Sequence, residues 1–436
     1  MSPIAALELP FTDFFSPTYI VEDTSVTLAA QNGSKTSGFT LSKVDETHDP
    51  FQAWWTSFIN EGFGNQSDLS SRRKLRYVDL FSSVGGLSLS LSAAAIAQNL
   101  VPSPLLAVDL DQAALSIYKK NFNPMLILEQ SVGNLVDFHM TGKGHEAKFN
   151  YAPEILPELI KDLSGLVDVV LAGPPCQGHS TLNNHTRGED KRNFFYVVTA
   201  AVISALKPKG FIIENVPNVI NDKTLVVESA KSLLRGSGYI LSEATLAADS
   251  IGWAQTRKRH FLAGTLSSSI VDLNTLAARS NRSALPVSAI LSRDSRLISD
   301  PEIMFTDPHM SPENIKRIDW LFDNEEFDLP NSERPKCHQD GHTYPSVYGR
   351  MRPNEPSPTL TTGFMSPGRG RFIHPFERRT LRPREAARIQ GFPDTFSFEL
   401  QGQELNRSML SKWIGDAVPS ILGFLPAFAV VQSINQ

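Results

Sequence analysis

The sequence predicts an α/β protein, in which a Rossmann-like doubly wound sheet is followed by a smaller, loop-rich module. Three observations predict it. From about Lys74, short β-branched runs alternate with helical stretches, the pattern of parallel strands joined by crossover helices. Polar residues stand near the carboxyl ends of those apolar runs, where open sheets of this kind gather ligands. After about Leu266 the alternation stops, and Ser, Asn, Pro and Asp scatter through residues 267–350.

Taken in order, the predicted strands are LRYVDLF (75–81), LLAVDL (105–110), MLILEQS (125–131), VDVVLAG (167–173) and FIIENV (211–216), followed by YILSEATLAA and RHFLAGTL. Helices are expected over Gly86–Gln98, Asp111–Asn121, Phe194–Leu206 and Thr224–Leu234, with another beginning near Pro383 and a last apolar one after Lys412. Residues 1–70 show no convincing alternation. Within them FQAWWTSFI (51–59) is expected to dock as a short apolar helix, and the remainder to be partly disordered.

With 436 residues, 41% of them apolar and 20% charged, the chain has the composition of a soluble protein with a sizeable core. No apolar run reaches the ~18 residues of a membrane span, and the start MSPIAALELPFTDFF lacks the basic region of a secretory signal, so a cytoplasmic protein without a membrane partner is expected. Two cysteines, Cys176 and Cys337, lie far apart in unlike contexts, which fits a reducing compartment and leaves one free to be a reagent. The net charge of −5 is unevenly spread. Residues 1–70 hold nine acids and two lysines, which leaves the rest at +2, and six arginines cluster between Arg371 and Arg388. Such a cluster fits either phosphate contact or a solvated, salt-bridged surface.

The residues that carry chemistry fall at predicted strand ends. In VDLFSSVGGLSLS (78–90) a strand runs into a small-residue turn where Gly85 and Gly86 let the backbone approach a ligand, and the following helix start offers free N–H groups. Loops of α/β proteins need glycine for structural reasons too. Asp109 ends the next strand, where a carboxylate can accept from both hydroxyls of a ribose, while Asp111 is better placed to cap the following helix. In LAGPPCQGHS (171–180) a stiff Pro174–Pro175 pair presents Cys176 beyond a buried strand. Most lone cysteines are inert core residues, but this setting would hold a thiol fixed and exposed, as a nucleophile needs. In FIIENVP (211–217) Glu214 is either a satisfied structural acid or a carboxyl kept protonated by burial. Arg257 and Arg259 alternate at a strand start and would present two guanidinium groups on one side, to a phosphate or a carbonyl oxygen. Cys337, His338 and His342 resemble a metal cluster but lack a fourth ligand, and no metal is expected.

These residues resemble the cytosine-5 DNA methyltransferases over about 360 residues, from Lys74 to the end. Eight elements occur in that family's order: DLFSSVGG, the acid of AVDLD, PPCQ, ENV, QTRKR, PSPTLTT, RTLRPREAARIQGFP and IGDAVPS. The resemblance implies S-adenosylmethionine as methyl donor, with Phe81, Ser82, Gly85, Gly86, Leu87, Asp109, Leu110, Ser131, Pro175, Asp416 and Ala417 around it. It implies Cys176 as nucleophile, Glu214 as the acid toward cytosine N3 and its exocyclic amine, Arg259 as the contact to the O2 side, and Arg257 on phosphate. It divides the chain into an acidic N-terminal extension (1–73), a catalytic domain (74–266), a target-recognition domain (267–405) and a C-terminal segment returning to the catalytic domain (406–436). Four positions depart from the family's usual residue: Ser83 stands for glycine, Ser131 for an acid, His179 for an aromatic and Asp416 for asparagine. They bear on cofactor affinity more than on reaction type.

The expected function is methylation of cytosine carbon 5 at a specific site in double-stranded DNA, by a monomer that serves as the modification enzyme of a restriction–modification system and can be accompanied by a cognate endonuclease. The base must be flipped from the duplex to react. Two other readings are a tRNA cytosine-5 methyltransferase, which would use the same residues, and a catalytically silent DNA-binding scaffold, which would not need them.

Overall fold

The computed structural model describes residues 17–32, 35–43, 49–63, 71–175, 194–291, 300–339 and 346–435. Cys176, His179 and His342 therefore lie outside the described residues.

The N-terminal region contains the expected apolar helix but also strands that the sequence did not reveal. Strands β1 (Thr18–Val21), β2 (Ser25–Asn32) and β3 (Lys35–Ser42) form an antiparallel sheet, and helix α1 (Pro50–Glu61) packs under it. The alternation is present, with Val26, Leu28, Phe39 and Leu41 facing inward, but serine, threonine and alanine between them dilute the hydrophobic contrast. Helix α1 starts at Asp49, whose side chain accepts from the Gln52 N–H (2.9 Å), with Pro50 in the first turn. It buries Phe51, Trp54, Trp55 and Phe58, and Trp55 meets Phe424 edge-on at 5.6 Å.

The main sheet uses the predicted strands. Its elements are β4 (Lys74–Leu80), α2 (Gly86–Ala97), β5 (Val101–Asp109), α3 (Gln112–Phe122), β6 (Leu126–Glu129), β7 (Val169–Ala172), α4 (Phe195–Leu206), β8 (Gly210–Asn215), α5 (Val226–Gly236), β9 (Ile240–Ala247) and β10 (Lys258–Thr265). The order across the sheet is β9-β10-β8-β7-β4-β5-β6, with β10 antiparallel to both its neighbours and β4–β8 mutually parallel wherever they pair. Parallel strands buried on both faces read as continuous apolar runs, which is why they were visible in the sequence. One face packs against α2 and the other against α4 and α5, giving a separate core on each side.

Beyond β10 come α6 (Leu273–Arg279), α7 (Val287–Leu291), α8 (Pro312–Asp323), α9 (Pro383–Ile389), α10 (Arg407–Asp416) and α11 (Ser420–Asn435). Leu273, Ile290, Leu360, Phe372 and Ile389 share the core of the α2 face, whereas Ile318, Leu321, Leu329, Val347, Tyr348 and Ile373 form a small core of their own. Helix α11 is apolar all round because it is enclosed: it packs against α2, β8 and β10. Among the described residues no single helix is long and apolar enough to cross a membrane; α10 and α11 pass that test only as a pair, bent by 43°.

Candidate active site

Strand order reverses between β4 and β7, and the carboxyl ends of β4 to β8 open there into a cavity of about 830 Å³. The first wall is the turn after β4. Phe81 and Ser83 hold left-handed backbone angles (φ +56° and +45°), and the Ser83 N–H donates to Asp109 Oδ2 (2.8 Å). A positive φ is a conformation that glycine adopts without the cost a serine bears at position 83. Ser82 is buried on the cavity wall with its Oγ unpartnered, and Phe81 meets Phe195 edge-on at 5.6 Å. Gly86 opens α2 where a Cβ would sit 2.9 Å from the Val418 carbonyl oxygen, and its neighbour Leu87 also lines the cavity. Gly85 does not line it. Its φ of +99° and the Phe122 ring, 2.2 Å from where a Cβ would stand, are what require glycine there.

Asp109 ends β5 in the cavity, its Oδ1 also accepting from the Asp111 N–H at 2.9 Å. A carboxylate oxygen accepts more than one hydrogen bond, so both oxygens keep capacity for a diol. Asp111 caps α3 through the Ala114 N–H (3.1 Å) and accepts from Trp413 Nε1 (2.9 Å). Leu110, 71% exposed, stands at the cavity mouth. Ser131 lines the cavity beyond β6 and caps the short turn that follows.

On the far side, the loop after β7 brings Gly173, Pro174 and Pro175 to the cavity wall. Asn215 fixes that loop by donating from Nδ2 to the Pro174 carbonyl (3.3 Å). Glu214, one residue earlier on β8, is buried and faces Arg259, with Nε 2.7 Å from its Oε1. Burial pushes the Glu214 carboxyl above its ordinary range, against the opposing pull of Arg259 and Arg257.

Arg257 corrects an expectation. It is 2% exposed, and its guanidinium donates to the carbonyls of Leu360 (2.7 Å), Gly415 (3.0 Å) and Asp416 (3.3 Å). A side chain so enclosed does not reach a DNA phosphate. Asp416, Ala417 and Val418 form the rim above it, where desolvation raises the Asp416 carboxyl while Lys412, Arg257 and Arg259 draw it down.

Among the cavity residues that the sequence reading did not single out, two are ionisable groups that matter to the site's electrostatics. Asp79, on β4, is buried and accepts from Ser88 Oγ (2.6 Å); burial chiefly, with Asp109 adding, raises it to about 7. An acid inside an apolar strand was the available signal, the same one that marked Glu214. Lys412 lies one turn before Asp416 on α10, a spacing visible only once the helix is known.

In the arginine cluster every guanidinium has an acid partner. Arg388 pairs with Asp394, Arg384 with Asp300, Arg379 with Glu377 and Glu385, Arg371 with Asp328 and Arg382 with Asp307, while Arg378 reaches Asp319 and Asp323. Arg379, Arg384 and Arg388 are buried, so the cluster holds segments together. His374, Glu377 and Glu385 come within metal-ligand reach of one another, but Arg379 occupies both carboxylates and His374 Nδ1 accepts from the Phe376 and Glu377 N–H groups.

Fold and site together define a class, that of the Rossmann-like methyltransferases. Within it the chain belongs to the C-5 cytosine-specific DNA methylase family, whose sequence profile matches residues 75–424. It is a DNA cytosine-5 methyltransferase by that membership. It is 41% identical over 356 residues to the Type II methyltransferase M1.BsuMI of Bacillus subtilis strain 168, covering 81% of this chain and 79% of that one. With the Type II methyltransferase M.DdeI of Desulfomicrobium norvegicum it shares 25% identity over 393 residues, 80% of this chain and 86% of the relative. Among solved structures, a DNA modification methyltransferase encoded within an E. coli prophage superposes with a TM-score of 0.55 at 22% identity, covering 83% of this chain and all (100%) of that one. The S. pombe Dnmt2 methyltransferase gives 0.53 at 15% identity, over 82% and 99% of the two chains.

Proposed function

We propose that the protein methylates carbon 5 of cytosine at a specific sequence in double-stranded DNA, as the modification enzyme of a restriction–modification pair, through a covalent bond between Cys176 and the base. The observation that carries this reading is the Glu214–Arg259 pair on a cavity wall beside the Gly173–Pro175 loop that leads into Cys176.

The cavity suits S-adenosylmethionine. The unpartnered Ser82 Oγ, the first N–H groups of α2 and the Asp109 carboxylate offer a donor, an anion-binding helix start and a diol acceptor. About 830 Å³ admits a ligand of that size together with a base. Phe81, Ser82, Gly86, Leu87, Asp109, Leu110, Ser131, Pro175, Asp416 and Ala417 would hold it, and when bound it supplies an electrophilic methyl group for carbon 5.

The chain's own groups must make that carbon nucleophilic. The Cys176 thiolate adds to carbon 6, and the electron pair displaced onto N3 is met by the proton that Glu214 retains. Arg259 holds the O2 edge. After methyl transfer, loss of the carbon-5 proton to a water-mediated base re-forms the double bond and expels the thiolate. Flipping the base costs a few kcal/mol, which contacts from the smaller domain, residues 267–405, supply along with sequence selection.

Incubating the protein with labelled methyl donor and either plasmid DNA or tRNA tests the reading. Label in DNA, mapped by bisulfite sequencing to one recurring site, is expected. Transfer to tRNA alone would move the substrate class, and transfer to neither would leave only a scaffold.

A further inference from the structure

Helix α10 ends at the cavity rim, where its last carbonyls have no partner within the helix and carry its negative pole. Arg257 answers them with a buried cation, through Gly415 and Asp416, and with the same guanidinium holds the Leu360 carbonyl. A second side chain supports the same turn: Gln390 Nε2 donates to the carbonyls of Ile414 (2.5 Å) and Ala417 (3.2 Å). The backbones of the two clamped segments touch, since a Cβ on Gly415 would lie 2.5 Å from Thr361 C and Thr362 N. Beyond the clamp the chain passes directly to the start of α2, with the Val418 oxygen 2.9 Å from where a Gly86 Cβ would be. Asp416, Ala417 and Val418 thus form a cavity wall whose place is set by Arg257, which lines the same cavity, rather than by their own side chains.

We infer that Arg257 is a positioning residue for the methyl donor: it fixes the Gly415–Val418 turn against the first turn of α2, and so sets the donor's half of the cavity without touching DNA. The inference rests on the reading of that cavity as the S-adenosylmethionine site. The guanidinium reaches three carbonyls from two nitrogens held apart in a planar fork, whereas a lysine ammonium offers its donors from one atom. Arg257→Lys and Arg257→Met should therefore weaken cofactor binding unequally, with lysine retaining part of the function.

The test is calorimetric titration of full-length protein with S-adenosylhomocysteine, set beside fluorescence titration of a DNA duplex at several salt concentrations. Arg257→Met is expected to raise the cofactor Kd by roughly 10- to 100-fold, the range for losing charge-assisted hydrogen bonds, and Arg257→Lys by less. DNA affinity should change less than about twofold, with the same salt slope, because no phosphate contact is lost. Gln390→Met, which removes only the supporting bonds, should give a smaller selective loss and serves if Arg257 variants do not fold. A shallower salt slope with unchanged cofactor affinity would make Arg257 a phosphate contact, and equal loss of both ligands, or of neither, would also overturn the inference. Wild-type protein that bound no S-adenosylhomocysteine would remove the cavity assignment itself, and this inference with it.

Discussion

Glu214 with Arg259, and Arg388 with Asp394, are both buried acid–arginine pairs, yet they face different surroundings. The first lies on a wall of an 830 Å³ cavity, its side chains 10% and 14% exposed, so either partner can turn to a ligand. The second is buried between α9 and the loop after it, bound at two points with Nε 2.7 Å from Oδ1, and Arg388 also donates to the Ile290 carbonyl, so its partners are protein groups and neither residue lines that cavity. The difference teaches that an ion pair becomes chemistry only where a void adjoins it. Elsewhere the same groups are structural, and leaving one unpaired is the main hazard.

That contrast can be broken from either side. Arg388→Met should leave Asp394 buried without its cation and lower unfolding free energy by about 3–5 kcal/mol in denaturant titration, while the salt dependence of DNA binding stays as in wild type. A weaker salt slope with undiminished stability would return the arginine cluster to a phosphate-binding role. Glu214→Gln should do the reverse. It should slow single-turnover methyl transfer by about 10²-fold or more with little change in DNA affinity; equal losses in both would make Glu214 a binding residue.

Asp79 sharpens the comparison, being a buried acid at the cavity with no cation among the groups that set its proton affinity. Its folded pKa, about 7, lies above the ordinary 3.8, so the folded state holds a proton that the unfolded state has released. The stability it contributes is complete below about pH 4 and is lost as pH rises through 7. Relative to wild type, Asp79→Asn should melt at higher temperature at pH 8 than it does at pH 5. A pH-independent difference would show that Asp79 is ionised throughout. The smallest effect is expected at Asp416, a cavity-rim acid surrounded by Lys412, Arg257 and Arg259. Asp416→Asn should change the S-adenosylmethionine Kd by less than about tenfold in either direction and leave the methylated sites unaltered, as calorimetry and bisulfite mapping would record.

Much of this was legible in the sequence for a physical reason. Central parallel strands are apolar on both faces, so Glu214, Asn215 and Asp109 stand out against them, and a glycine-rich turn between strand and helix reveals where backbone comes close. Neighbours supplied by distant segments were not legible. The acids that neutralise Arg371, Arg382 and Arg384, namely Asp328, Asp307 and Asp300, lie 43, 75 and 84 positions away in the chain, so local charge counting could not choose between phosphate contact and a salt-bridged network. Arg257 failed in the same way, because its carbonyl partners come from two later segments. At Gly85 the tight turn was anticipated, but the ring of Phe122 that shares the requirement for glycine was not. The N-terminal sheet was missed because its inward residues alternate with small polar ones that give little contrast.

The central claim is that the strand-end cavity activates cytosine by covalent attack from Cys176. A duplex carrying 5-fluorocytosine at the mapped site tests it most directly, since fluorine cannot leave as a cation and the adduct stalls after methyl transfer. Wild-type protein incubated with that duplex and S-adenosylmethionine should form a complex that survives denaturing electrophoresis, and Cys176→Ala should form none while still binding S-adenosylhomocysteine. An adduct that persists in Cys176→Ala, or wild-type turnover in that variant, would contradict the account.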